Sequence, residues 1–167
     1  TVNSKSDYQV HESQNTCVLK VLTKASYTNC EPVRIFFDQQ FENGKKTFIV
    51  DFDSCSSVDS TFLGILVGLA LKLRSSDPKG TLILVNLRER NLETVKNLGI
   101  HRIAEISSSI VNDEKDLINL GSVSSDKGVN SETVHFAHKT LMELNTKNLK
   151  VFCDVVSFLE KDLERNR

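Results

Sequence analysis

Asp59, Ser60 and Thr61 stand together immediately ahead of an apolar run that reaches Leu73. All three residue types carry a side-chain oxygen that accepts from the free N–H groups of a helix's first turn, so the triplet marks a helix start. A helix N-terminus also favours negative charge, through those N–H groups and the aligned peptide dipoles. A hydroxyl at Ser60 is therefore placed where an added phosphate, with its ~1.5 to 2 negative charges, need not unfold the helix. It would sit beside Asp59, and the doubled charge would repel an acidic or apolar surface. Capping alone also accounts for the triplet, and the two roles are compatible.

Other reactive groups point to less. Asp51 and Asp53 end a β-type run with no third ligand in sight, so they read as loop-terminating carboxylates rather than a metal or acid–base pair. His135 and His138 lie three apart in a helical pattern and could share a metal. With no carboxylate or cysteine at matching spacing, they read as surface histidines. Cys17, Cys30, Cys55 and Cys153 make no CxxC pair, which removes zinc and thioredoxin-type motifs. Reduced, partly buried thiols fit a chain of this size and point to the cytoplasm. Cys55 has no neighbouring cation to lower its pKa. No Ser-His-Asp order, glycine-rich phosphate loop or zinc motif appears, so an enzyme reading has no catalytic residue to name, and neither metal nor cofactor is expected.

The chain has 167 residues, 39% of them apolar and 26% charged, which suits one ordinary core plus an appendage. Twenty-one Lys and Arg against 22 Asp and Glu leave no electrostatic case for nucleic acid or an anionic membrane. Lys24, Arg34, Lys45 and Lys46 are scattered and read as solvated surface. The longest uncharged apolar run, Phe62 to Leu71, is about half of the ~20 residues that cross a bilayer. Thr1 to Asp7 is polar and has no signal-type apolar stretch. A soluble, cytoplasmic chain is expected.

These residues need a scaffold. Tyr8 to Val10 and Cys17 to Leu22 read as a hairpin around Gln14-Asn15, with a loop at Ala25 to Asn29. Pro32 opens a helix over Glu31 to Glu42, with Val33, Phe36, Phe37 and Phe41 on one face and Gly44 as its stop. Thr47 to Phe52 is a buried strand, and Ser54 to Val58 a polar loop. The helix from Asp59 to Leu73 is apolar on nearly every side, which demands burial on more than one face. Gly64 and Gly68 share a stripe on it and predict close helix–sheet packing. After a loop, Thr81 to Val85 forms a strand. Asn91 caps a short helix that Gly99 ends, Ile100 to Ile106 gives a last short strand, and Asn112 to Leu120 a final short helix. Strands alternating with helices predict a mixed, mostly parallel sheet of four to five strands with helical cover.

Residues 121 to 130 break the pattern and read as a linker. Beyond it, Val134, Ala137, Leu141, Leu144, Asn148, Phe152, Val155, Leu159 and Leu163 form one apolar stripe. A single long helix over 131 to 165 would reach ~50 Å, with a weak point at Asn145 to Asn148 where it could bend or divide. Its stripe needs a partner surface: the domain itself, a second copy or another protein. The expected organisation is a domain at 8–120, a linker at 121–130 and a C-terminal amphipathic helix at 131–167.

The stretch Ile49-Val50-Asp51-Phe52-Asp53, then Val58-Asp59-Ser60-Thr61-Phe62-Leu63-Gly64, resembles the STAS domain of bacterial anti-sigma factor antagonists. Leu82, Leu84, Val85 and Leu98-Gly99-Ile100 extend the likeness, which runs from about Tyr8 to Leu120. The resemblance implies a SpoIIAA-like fold and a role in partner switching. An unphosphorylated antagonist binds an anti-sigma factor that is also a serine kinase, and so releases a sigma factor and regulates transcription. The kinase phosphorylates the Ser after the Asp, here Ser60, with Thr61 a second candidate, and a phosphatase reverses it. Ser56, Ser57, Asp59, Ser60, Thr61 and Phe62 would then form the partner-binding surface. Phe62 replaces the glycine of many members, and a bulky aromatic there would alter that surface. The alternative implied by the family is an unmodified scaffold subunit of a stress-signalling or lipid-transport complex. A homodimer through the C-terminal helix is compatible with either.

Overall fold

A computed structural model describes residues 6–108, 116–121 and 129–166. β1 (Tyr8–Glu12) and β2 (Thr16–Val21) form the expected antiparallel hairpin, followed by the two-residue β3 (Lys24–Ala25) and α1 (Glu31–Glu42). Next come β4 (Thr47–Asp51), β5 (Ser57–Val58), α2 (Ser60–Ser75), β6 (Thr81–Val85) and α3 (Glu89–Asn97). A 3₁₀ turn at Ile100–Arg102 leads to β7 (Glu105–Ser107), and β8 (Ile118–Asn119), α4 (Ser131–Leu144) and α5 (Thr146–Arg165) complete the order.

The main sheet runs β7-β6-β4-β2-β1-β8. β2, β4, β6 and β7 are parallel neighbours, while β1 and β8 add antiparallel strands at one edge. The parallel centre explains why β4 and β6 read as continuous apolar runs. The sheet has six strands where four to five were expected, because Ile118 and Asn119 pair with Val10 and Gln9. These two residues were expected in a helix; the unpaired edge of β1 recruits them instead. Residues 112–115 of that expected helix, and 122–128 of the expected linker, lie outside the described residues.

Two further boundaries differ from the sequence reading. α3 begins at Glu89, so Asn91 lies inside it, and its side-chain amide donates to the Cys55 carbonyl at 3.3 Å. Ile100 and Ile103 are not in a strand. Gly99 turns the chain with φ 82°, in the left-handed region that glycine reaches without strain, and Ile100 enters the 3₁₀ turn fully buried.

The C-terminal segment is two helices, not one. Asn145 is extended (φ −162°, ψ 166°), ending α4 while its side chain accepts from the Asn148 N–H at 2.8 Å to start α5. An asparagine that offers a cap competes with helix continuation, and the chain folds back into an α4–α5 hairpin. α5 is the long helix, 20 residues and ~30 Å.

α2 lies between the sheet and α4. Every residue from Thr61 to Ala70 is buried, which accounts for a helix that is apolar all round. The Gly64–Gly68 stripe faces α4 rather than the sheet. A Cβ on Gly64 would meet the Ala137 carbonyl oxygen at 2.3 Å, and one on Gly68 the Phe136 ring at 3.2 Å.

Candidate functional site at the start of α2

The loop before α2 is fixed from both sides. β3 and β5 pair in parallel, Lys24 with Ser57 and Ala25 with Val58, and the Asp59 N–H donates to the Ala25 carbonyl at 3.0 Å. Asp59 is the N-cap. One carboxylate oxygen accepts from the Phe62 N–H at 2.9 Å, and the other from the Tyr27 N–H at 2.8 Å. The residue thus caps the helix and ties down the 25–29 loop together. Asp59→Ala is expected to cost about 1–2 kcal/mol, the upper range for a lost cap, measured as a shift in the urea midpoint.

Ser60 is the first residue of α2 and is half-buried. Its hydroxyl is not free in solvent. Oγ lies 2.7 Å from Nε2 of His138, which reaches across from α4. Nδ1 of the same ring lies 2.7 Å from the Val134 carbonyl, and a carbonyl can only accept. Nδ1 therefore carries the hydrogen, and in the neutral ring Nε2 accepts from the Ser60 O–H. His138 is 6% exposed and packs edge-on against Phe152 of α5. The expectation of two surface histidines fails for His138, which is buried, while the partly exposed His135 meets Glu160 at 3.2 Å.

Of the residues expected to face a partner, Ser56 and Ser57 are exposed and Asp59 and Ser60 half-exposed. Thr61 and Phe62 are interior, at 2% and 0% exposure. Phe62 is stacked on Tyr8 (ring centroids 6.2 Å apart) and edge-on to Phe52. It is a core residue and not part of a docking surface, because the first turn of α2 aims position 62 at the sheet.

The carboxylates at the end of β4 are held by local contacts. Asp51 is buried and accepts from the Asp53 N–H at 2.9 Å and the Asn86 side-chain amide at 2.8 Å, while Asp53 pairs with Arg88. Among the described residues no group of three or more His, Cys, Asp or Glu is arranged to hold a metal. Burial pushes the Cys17 and Cys30 thiols up to about 12, and raises that of Cys55, so none is poised as a thiolate. No described helix is long and apolar enough to cross a membrane.

A second set of contacts holds α4 to the domain. The Glu31 carboxylate accepts from the Thr133 hydroxyl at 2.7 Å and the Asn130 amide at 3.4 Å, and also pairs with Arg34. Burial alone would push the Glu31 carboxyl up. The bonds from Arg34, Thr133 and Asn130 outweigh it and hold the group below the usual range. A depressed folded-state value gives stability that is present above the unfolded glutamate range and lost as pH falls through the folded value. Melting temperatures measured between about pH 7 and pH 3 should therefore fall less in Glu31→Gln than in the parent chain.

His138, Thr133 and Glu31 were not singled out as a site by their spacing. The available signal was the position of His138 between Ala137 and Leu141 on the apolar stripe, where a histidine is buried when the stripe is covered.

Residues 7–112 match the STAS domain, which is well over half of the chain, and the protein belongs to the STAS domain family. Solved structures of anti-sigma factor antagonists share the fold. Unphosphorylated SpoIIAA is 20% identical with a TM-score of 0.52, the match covering 62% of this chain and 89% of that one. The phosphorylated Bacillus cell fate determinant SpoIIAA is 19% identical (TM-score 0.51, 61% and 92% covered). An anti-sigma factor antagonist from Mycobacterium paratuberculosis is 13% identical (TM-score 0.54, 66% and 92% covered). No curated protein matches the sequence.

Proposed function

We propose that this protein is an anti-sigma factor antagonist that works by binding and is switched by phosphorylation of Ser60, the substrate of a partner anti-sigma kinase, with a phosphatase as the reverse step. The supporting observation is the position of Ser60. It opens α2, with Asp59 as its cap, on a fold that SpoIIAA adopts in both unphosphorylated and phosphorylated forms. A phosphate there would be stabilised by the helix N-terminus while placing two negative groups side by side at the domain surface. Ser56, Ser57, Asp59 and Ser60 form the docking patch. The protein acts in the cytoplasm, with no catalytic residue of its own.

The test is to purify the chain from the cells that produce it, in several growth states, and map phosphate by peptide mass spectrometry. The expected result is phosphate on the peptide bearing Ser60, absent in Ser60→Ala. A chain that never carries phosphate overturns the switch.

The second reading, an unmodified scaffold subunit of a stress-signalling or lipid-transport assembly, is favoured by one observation: the Ser60 hydroxyl is already engaged by a buried histidine. Homodimerisation would use the apolar side chains that α5 leaves exposed, Leu149, Val155 and Phe158. Light scattering on the full chain, against a Phe158→Lys variant, tests it; a monomeric mass for both removes it.

A further inference from the structure

Ser60 and His138 stand to one another as a nucleophile and its base do. Ser60 Oγ lies 2.7 Å from His138 Nε2, and the Val134 carbonyl, 2.7 Å from Nδ1, fixes the ring hydrogen on that far nitrogen. The lone pair of Nε2 in the neutral ring then points at the Ser60 hydroxyl. A hydroxyl within hydrogen-bond reach of a base, with the base oriented by a third group, is the general arrangement that activates a weak serine nucleophile. The orienting group here is a backbone carbonyl four residues back on α4, not a carboxylate.

Packing holds the ring in that pose. His138 is 6% exposed and meets Phe152 of α5 edge-on, with ring centroids 5.2 Å apart. Its level along α2 is set by the residue before it. Ala137 rests on Gly64, where a Cβ would stand 2.3 Å from the Ala137 carbonyl oxygen, and Ser60 lies one turn ahead of Gly64. The buried apolar contacts of Ala137 and Leu141, and the bonds from Thr133 and Asn130 to Glu31, keep α4 seated. Ser60 itself is only half-buried, which leaves a side from which an electrophile can approach. The first turn of α2 adds N–H groups where a reacting phosphoryl group gathers negative charge.

We infer that Ser60 and His138 form a base-activated nucleophile for phosphoryl groups, with His138 as the proton acceptor, delivered by a hairpin that lies beyond the STAS match at 7–112. In the step, Oγ attacks phosphorus, the Oγ–P bond forms, and the bond from phosphorus to its leaving group breaks. The Ser60 proton passes to Nε2 and from there to water. The inference rests on the proposed phosphorylation of Ser60 for its physiological donor. That donor is the nucleoside triphosphate held by the partner kinase, and nucleoside diphosphate leaves. The chain remains a substrate, since the base acts once and only on its own serine.

The experiment uses the full chain and no kinase. An alkyl fluorophosphonate carries its own leaving group: Oγ attacks, fluoride departs, and the proton goes to Nε2. Fragmentation mass spectrometry locates the adduct. Ser60 should be labelled about a hundredfold or more faster than the exposed Ser56 and Ser57 of the same chain, with the preference lost in urea. His138→Gln, polar but without a base, should lower the Ser60 rate about a hundredfold. The rate in His138→Ala should recover with added imidazole and not with pyrazole, which has the same shape and is a far weaker base. That contrast separates proton transfer from the filling of space. Ser60 labelled no faster than Ser56 and Ser57, an unchanged rate in His138→Gln, or an equal response to imidazole and pyrazole overturns the inference. Selective labelling on a chain that never carries phosphate in cells keeps the base-activated nucleophile and overturns the phosphoswitch alone. Phosphate in cells without selective labelling does the reverse.

Discussion

Phe62→Ala should remove about 3–5 kcal/mol of stability, the range for truncating a fully buried aromatic. Phe62 has no exposed surface and touches aromatic rings on two sides, Tyr8 from β1 and Phe52 beyond the end of β4. Truncation opens a void that the Tyr8 ring is not free to fill, because its hydroxyl donates to the Asn29 side chain at 2.6 Å. Burial also drives the Tyr8 phenol well above its usual range. Domains of this size are stable by only about 5–15 kcal/mol, so the variant should be partly unfolded at mild urea concentrations. Circular dichroism and urea titration would read this. A loss below about 1 kcal/mol would mean that Phe62 is solvent-facing, as a docking residue must be.

Gly64→Ala should lower stability even though alanine favours a helix by about 1 kcal/mol over glycine. The new methyl would stand 2.3 Å from the Ala137 carbonyl oxygen and 2.6 Å from its Cβ. Both are parts of α4 that cannot rotate aside, so the whole helix must shift. An overpacking cost of roughly 1–3 kcal/mol exceeds the propensity gain, and a net loss of about 1 kcal/mol or more is expected. Gly68→Ala is the control. Its methyl would meet only the ring of Phe136, at 3.2 Å, and that half-exposed side chain can swing away. It should be neutral or slightly stabilising. Paired urea titrations separate the two, and a stabilised Gly64→Ala would show that α4 does not rest on α2 in solution.

These two positions mark where local pattern is and is not sufficient. Helix α1 was legible to the residue, from Pro32 at its start and the spacing of Val33, Phe36 and Phe37, because an amphipathic helix with clear stops declares itself locally. β6 was legible to the residue and β4 to within one residue of its end, from short unbroken apolar runs of the kind a buried parallel strand carries. The start of α2 was legible in Asp59, since capping is a contact three residues long. The STAS family membership followed from the same stretch.

What spacing does not encode is which surface an apolar stripe meets. The all-apolar α2 required two covered faces, yet nothing local says that α4 supplies the second or that the Gly64 side is the one it takes. The strand at Ile118–Asn119 depends on an edge more than a hundred residues away in sequence. The division at Asn145 follows from a weak-propensity run only once the folded-back hairpin can bury both halves. The bond between Ser60 and His138 spans 78 residues and arises because two helices cross at a glycine. Short-range hydrogen bonding and hydrophobic period determined the elements and the helix-capping triplet. Long-range packing alone decided that the triplet's hydroxyl lies under a histidine, because side-chain partners at that separation are chosen by tertiary geometry and not by the order of residues.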